Sequence, residues 1–123
     1  MIQITPHIKI FLCPEPVDFR KGIDGLAGVC RNHLDKDPFS GSMFIFRNRR
    51  RTALKILLYD GQGFWLFIKR LSKGSFHWWP EVQKARDHSR SVLTVNTAEL
   101  HLLLWNGDPS RARIGPDWRK ING

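Results

Sequence analysis

Acid is scarce in this chain: eleven Asp and Glu stand against twenty Lys and Arg in 123 residues, a formal net charge of +9. Metal-dependent strand transfer needs several carboxylates converging on two divalent ions. Asp18, Asp24, Asp60 and Asp108 are the candidates, and each has a plainer use as a cap, a helix-surface position or a turn. Cysteine is scarcer still. Cys13 and Cys30 lie too far apart for a CxxC motif, and two thiols without other soft ligands do not build a zinc site. They are expected to be reduced, partly buried thiols of a cytoplasmic protein. His7, His33, His77, His88 and His101 show no metal-ligand spacing. Ser40 and Ser75 show no pattern of nucleophile, base and acid in sequence. Gly61-Gln62-Gly63 is too short for a phosphate-cradling Walker loop and lacks its Lys-Ser/Thr end. No apolar run approaches the ~20 residues that a membrane-spanning helix requires. The start, MIQITPHIKIFLC, has no basic region before its apolar stretch and no small-residue cleavage site after it, which argues against a secretory signal. These absences point to a protein without catalytic residues, metal or cofactor.

What the chain does have is cation, and in one place. Residues 1–46 carry five Lys and Arg against five acids, residues 91–123 four against three, and residues 47–90 eleven against three. Nearly all the excess sits in the middle third. Like charges packed so closely repel, which costs stability unless a polyanion neutralises them, and nucleic acid is the commonest such partner. A chain of this length is one domain and buries roughly two thirds of its unfolded surface.

The apolar pattern predicts an α+β fold. Ile8–Leu12 reads as a short strand stopped by Pro14 and Pro16. Asp18 can cap a helix over Phe19–Leu34, since Ile23, Leu26, Ala27, Cys30 and Leu34 fall on one stripe of helical period. Met43–Arg47, Ala53–Tyr59 and Phe64–Leu71 are strand-like runs. Asn48–Arg51 and Asp60-Gly61-Gln62-Gly63 join them as hairpin turns, giving an antiparallel meander. Both faces of these strands are partly apolar, so either more of the chain or a partner covers the second face, and self-association is open. Ser72-Lys73-Gly74 is a turn. His77–Ser91 is polar and irregular, with Lys84, Arg86 and Arg90. Val92–Val95 is a last strand. Asn96-Thr97-Ala98-Glu99 has the form of a capping box before a short helix bearing Leu100, Leu103 and Leu104, which Gly107 ends. The expected domain is 1–107, with four to five strands, one longer N-terminal helix and one short C-terminal helix. Residues 108–123, rich in Pro, Gly and Arg, read as a flexible tail.

Several constellations could touch a partner. Arg47, Arg49, Arg50 and Arg51 crowd one hairpin tip, with Lys55, Lys69, Arg70 and Lys73 on or beside the same meander. Arginine's planar fork suits phosphate oxygens. The plainer alternatives are a solvated loop or a site for an acidic protein. Trp65, Phe76, Trp78 and Trp79 could stack on bases. Trp65 reads better as core, and the Trp78-Trp79 pair is open between core, base stacking and an interface anchor. Arg20 and Lys21 fall in the predicted first helical turn, where cations oppose the macrodipole and free N–H groups could complete an anion pocket. Gly22, Gly25 and Gly28 leave a smooth flank on that helix, as close backbone packing would require.

These residues also resemble a known family. Val17-Asp18-Phe19-Arg20-Lys21-Gly22-Ile23-Asp24-Gly25-Leu26 and Asp37-Pro38-Phe39-Ser40-Gly41 carry the resemblance first. It continues through Phe44-Ile45-Phe46-Arg47-Asn48-Arg49-Arg50-Arg51, Lys55-Ile56-Leu57 and Asp60-Gly61-Gln62-Gly63-Phe64-Trp65. Lys69-Arg70-Leu71, Phe76 to Pro80 and Leu103-Leu104 complete it. In this order they are similar to the small transposase accessory protein of the insertion sequence sixty-six group, the TnpB type. The resemblance implies a bacterial mobile element whose separate large transposase carries the acidic catalytic residues. It leaves the accessory protein's own biochemical act open. The reading adopted is a non-catalytic accessory factor of DNA transposition and recombination. It binds DNA with low sequence selectivity through Arg47, Arg49, Arg50, Arg51, Lys55, Lys69, Arg70, Lys73, Arg20 and Lys21. Its partners are the transposase and the element's other accessory protein. The alternative is an adaptor that docks on the transposase through the basic block and Trp78-Trp79 without touching DNA.

Overall fold

The computed structural model describes residues 8–79 and 92–106. The expected tail at 108–123, Gly107, most of the polar segment with Lys84, Arg86 and Arg90, and the first seven residues lie outside them. Five strands and two helices follow one another as β1 (Ile10–Leu12), α1 (Ile23–Asn32), β2 (Met43–Arg47), β3 (Ala53–Tyr59), β4 (Phe64–Arg70), β5 (Leu93–Val95) and α2 (Thr97–Leu104). They build one sheet in the order β4-β3-β2-β1-β5. β2, β3 and β4 form the expected meander, with Ile45 opposite Ile56 and Leu57 opposite Leu66. The sheet as a whole is mixed, which corrects the purely antiparallel expectation. β1 runs parallel to β2, Phe11 beside Phe44, and α1 makes the crossover between them. β5 closes the other edge antiparallel to β1.

The doubly apolar strands are explained by a layer on each face. On one, α1 lays Leu26, Ala27 and Cys30 over Phe11, Phe44, Phe46 and Leu57. On the other, α2 and the chain around Phe76 and Trp79 cover Ile10, Leu12, Met43, Ile45 and Ile56. The chain thus covers its own second face. β1, β2 and β3 are buried nearly throughout because they lie inside both layers. β4, at the edge, is not.

Local chemistry sets the element ends. Asn96 Oδ1 accepts from Glu99 N at 2.7 Å and Glu99 Oε1 accepts from Asn96 N at 2.9 Å, so the capping box is complete. Asp60 Oδ1 accepts from the backbone N–H of Gln62 and Gly63, and Oδ2 from Trp65 Nε1. The Gln62 N–H, the Trp65 indole and the Gly63 N–H together hold the Asp60 carboxyl at about 2. α1 starts later than expected. Its cap is Gly22, with no side-chain hydrogen bond, because Asp18 turns instead onto the backbone N–H and guanidinium of Arg20. Arg20 and Lys21 therefore precede the helix rather than occupy its first turn.

The thiols are free and buried. Burial pushes Cys30 up to about 12 and raises Cys13 as well. Since the thiolate is the reactive form, iodoacetamide at pH 8 should leave both unmodified in the folded protein and label both in urea. Mass spectrometry of the two samples checks this; a labelled native thiol would mean that the α1 layer opens.

Candidate nucleic-acid interface

The β2–β3 turn is built around one asparagine. Asn48 Oδ1 accepts from Thr52 N at 2.9 Å and Ala53 N at 3.1 Å, and Nδ2 donates to Thr52 Oγ1 at 2.8 Å. Arg51 N donates to Asn48 O, and Arg51 O accepts from Phe76 N at 2.7 Å. The tip is thereby tied both to itself and to the layer beneath. Arg49 and Arg50 project from it exposed, and Arg51 is half-buried. Arg51 has φ +59, a left-handed conformation that costs a non-glycine residue roughly 1 kcal/mol or more. Arg51→Gly should therefore raise stability by up to about 1 kcal/mol while removing one cation. A shift of the urea midpoint measures the first effect. A midpoint that falls would show that the arginine side chain itself supports the turn.

Three segments meet at this end of the sheet. Leu71 N donates to Thr52 O, which sets Arg70 and the exposed Lys73 beside the tip. Val17 N donates to Arg47 O, which brings residues 16–21 along its other side. Pro16, Val17, Phe19, Asn48, Arg49 and Arg50 face one another across a cleft of about 440 Å³. Arg20 and Lys21, the next residues of that loop, are exposed, and Lys21 lines a neighbouring cleft with Val17 and Gly25. The acid in this cluster is Asp18, whose carboxylate lies 2.7 Å from Arg20, and that guanidinium holds it at about 2.

Not every predicted cation faces solvent there. Lys55 is buried on the α1 face. Its Nζ donates to Phe19 O at 2.8 Å and Lys21 O at 2.9 Å and lies over the Phe19 ring. It fastens the 16–21 loop to the sheet, and burial of an ammonium group is tolerated because carbonyls replace its water. It therefore leaves the set of phosphate contacts. Arg47 points to the other face, donates to Asn48 O and Arg49 O, and stacks over Trp79 at 5.8 Å. Lys69 Nζ donates to Leu104 O, at the negative end of α2, and lies near the Trp105 ring. Lys69 and Arg47 support the fold as well as carrying charge.

The aromatic assignments change most. Trp79 is 4 % exposed and donates from Nε1 to Cys13 O at 3.0 Å. Trp78 is half-buried against the same cluster, and Phe76 is core. Base stacking or partner contact by Trp79 is therefore corrected to packing. Trp65, expected in the core, is 44 % exposed on β4 and stacks on Phe67. Trp105, which the sequence reading did not single out, is 82 % exposed at the end of α2. Its signal was its place just past the last apolar position of the stripe. Close backbone packing does not explain the glycine flank of α1: an added Cβ at Gly22 or Gly28 meets nothing within 4 Å, and the nearest atoms to one at Gly25 are side-chain carbons of Lys21. The candidate acids Asp18, Asp24 and Asp60 are not brought together. Among the described residues no group of His, Cys, Asp and Glu could hold a metal ion, and no helix is long and apolar enough to cross a membrane.

A family model described as IS66 Orf2 like protein matches residues 8–113, which takes in the whole sheet, both helices and the basic end. The chain belongs to the IS66 Orf2-like family. This gives it an accessory role associated with transposition and with an IS66 transposase. Two relatives come from Sinorhizobium fredii. The uncharacterised protein y4jC is 36 % identical over 116 residues, covering 94 % of this chain and 93 % of its own length. The uncharacterised protein y4hO is 30 % identical over 119 residues, covering 97 % and 90 %. No solved structure matches.

Proposed function

We propose that this IS66 Orf2-like protein is a non-catalytic accessory factor that grips nucleic-acid phosphates with the basic end of its sheet and helps the transposase assemble on the element. One observation carries the reading: Arg49, Arg50 and Arg51 stand on a turn locked by Asn48, with Arg70 and Lys73 set beside them by the Leu71–Thr52 and Phe76–Arg51 backbone bonds. A locked turn loses little further entropy when its guanidinium groups engage phosphate oxygens. Arg20, paired with Asp18, contributes less net charge. α1 commits its apolar stripe to the sheet and offers no row of Asn, Gln and Arg for base readout, so selectivity should be low. The protein is read as cytoplasmic, with the transposase and the second accessory protein as partners.

An adaptor without DNA contact is the competing reading, and the exposed Trp105 beside Lys69 favours it, since Trp and Arg dominate protein hot spots. A gel shift with element-end duplexes, with and without the transposase, separates the two. Direct binding that weakens linearly in log salt supports the accessory DNA binder. No shift at low salt, with tight transposase capture, supports the adaptor.

A further inference from the structure

The open edge of the sheet is unusually unprotected. Edge strands are ordinarily blunted by shortness, proline, bulges or charges along their length. β4 is seven residues long, contains no proline, and pairs among the described residues with β3 alone. Ile68 is 60 % exposed, Trp65 44 % and Phe67 41 %. Its cations, Lys69 and Arg70, stand only at the C-terminal end, with Phe64 and Trp65 at the other and Phe67 at the centre.

The backbone has a definite parity. Asp60 N donates to Gly63 O, and Leu71 N to Thr52 O. In the β3–β4 register these bonds fix the hydrogen-bonded pairs at Trp65, Phe67 and Lys69. The N–H and C=O groups of Phe64, Leu66, Ile68 and Arg70 therefore point away from the sheet.

We propose that β4 pairs antiparallel with β4 of a second copy of this chain about a two-fold axis at Phe67, joining two five-stranded sheets into one. In that register Leu66 faces Ile68 and Phe64 faces Arg70 of the second copy, and each pair exchanges two hydrogen bonds from the outward groups. Trp65 faces Lys69. Arg70 thus lies against the Phe64 ring, and Lys69, whose Nζ is held at Leu104 O, stands opposite Trp65, a favourable cross-strand placement of cations and aromatic residues. Parallel pairing would set Lys69 on Lys69 and Arg70 on Arg70, which repel. The strand's own gradient from aromatic to basic is complementary to itself only when reversed, which selects a second copy as occupant. The arrangement also carries the two basic ends to opposite poles, about 20 Å apart along the strand. It rests on the edge alone and does not depend on nucleic-acid binding.

Sedimentation velocity of the full chain up to about 100 μM tests it. A dimer that strengthens with added salt is expected, because screening weakens repulsion between two +9 chains. Ile68→Lys, at an exposed position, should give a monomer with an unchanged circular dichroism spectrum. Ile68→Pro should do the same, since it removes only an outward N–H. Phe67→Cys should oxidise to a covalent dimer, because this residue faces itself at about 4.5 Å between Cα atoms. Trp65→Cys should not, because it faces Lys69. A monomeric wild-type protein, a dimer that survives Ile68→Lys, or equal cross-linking of the two cysteine variants would each overturn the proposal.

Discussion

Replacing Arg49 and Arg50 by Ala and Arg51 by Gly is expected to lower affinity for duplex DNA several-hundred-fold at 0.1 M salt. The slope of log K against log salt should fall by about two to three. Each phosphate contact contributes about 0.9 to that slope, and three contacts compound to roughly 10² to 10³ between 1 M and 0.1 M salt. Glycine is chosen at position 51 because alanine would retain the left-handed strain at φ +59. Arg49 and Arg50 are exposed, so their removal should leave the fold intact. Titration of a labelled duplex at several salt concentrations reads the slope. An unchanged slope would move the basic end from DNA to an acidic protein surface.

Trp79→Ala is expected to cost about 3–5 kcal/mol, a large part of what a domain of this size has. The ring fills the interior between the sheet and the layer holding Phe76 and Leu103. Its indole N–H satisfies Cys13 O, and Arg47 lies over it. Truncation therefore leaves a cavity, an unpaired carbonyl and a loosened arginine together. Trp105→Ala should change stability by no more than about 0.5 kcal/mol, since that side chain is 82 % exposed. Urea midpoints of the two variants decide the matter. Equal midpoints would return Trp79 to the surface and reopen its role as an interface anchor.

Much of this molecule was legible in its sequence because the signals are local. The runs at Met43–Arg47 and Ala53–Tyr59 are strands over those same residues. The Asp-Gly turn and the Asn96–Glu99 box work through atoms two to three residues apart, so a short window holds the whole interaction. The family was legible too, because its motifs follow one another in order across the chain. Side-chain surroundings were harder. Nothing within several residues of Lys55 says that carbonyls 34 and 36 positions earlier will receive it. Asp18 looked like a cap because a cap needs only the right residue before a helix, and Arg20 was a stronger competitor for its carboxylate.

From sequence alone came the middle-third charge, the hairpin turns, the helical stripe and the kinship to transposition accessory proteins. All follow from covalent order and from interactions that span a turn or less. Tertiary structure alone decided that β1 lies parallel to β2, that the second face is covered from within, and that Trp79 is buried while Trp65 is not. It also decided which cations share one end of the sheet. These outcomes depend on which distant segments pair and which strand is left at the edge, and that is settled by burying apolar surface across the whole chain at once.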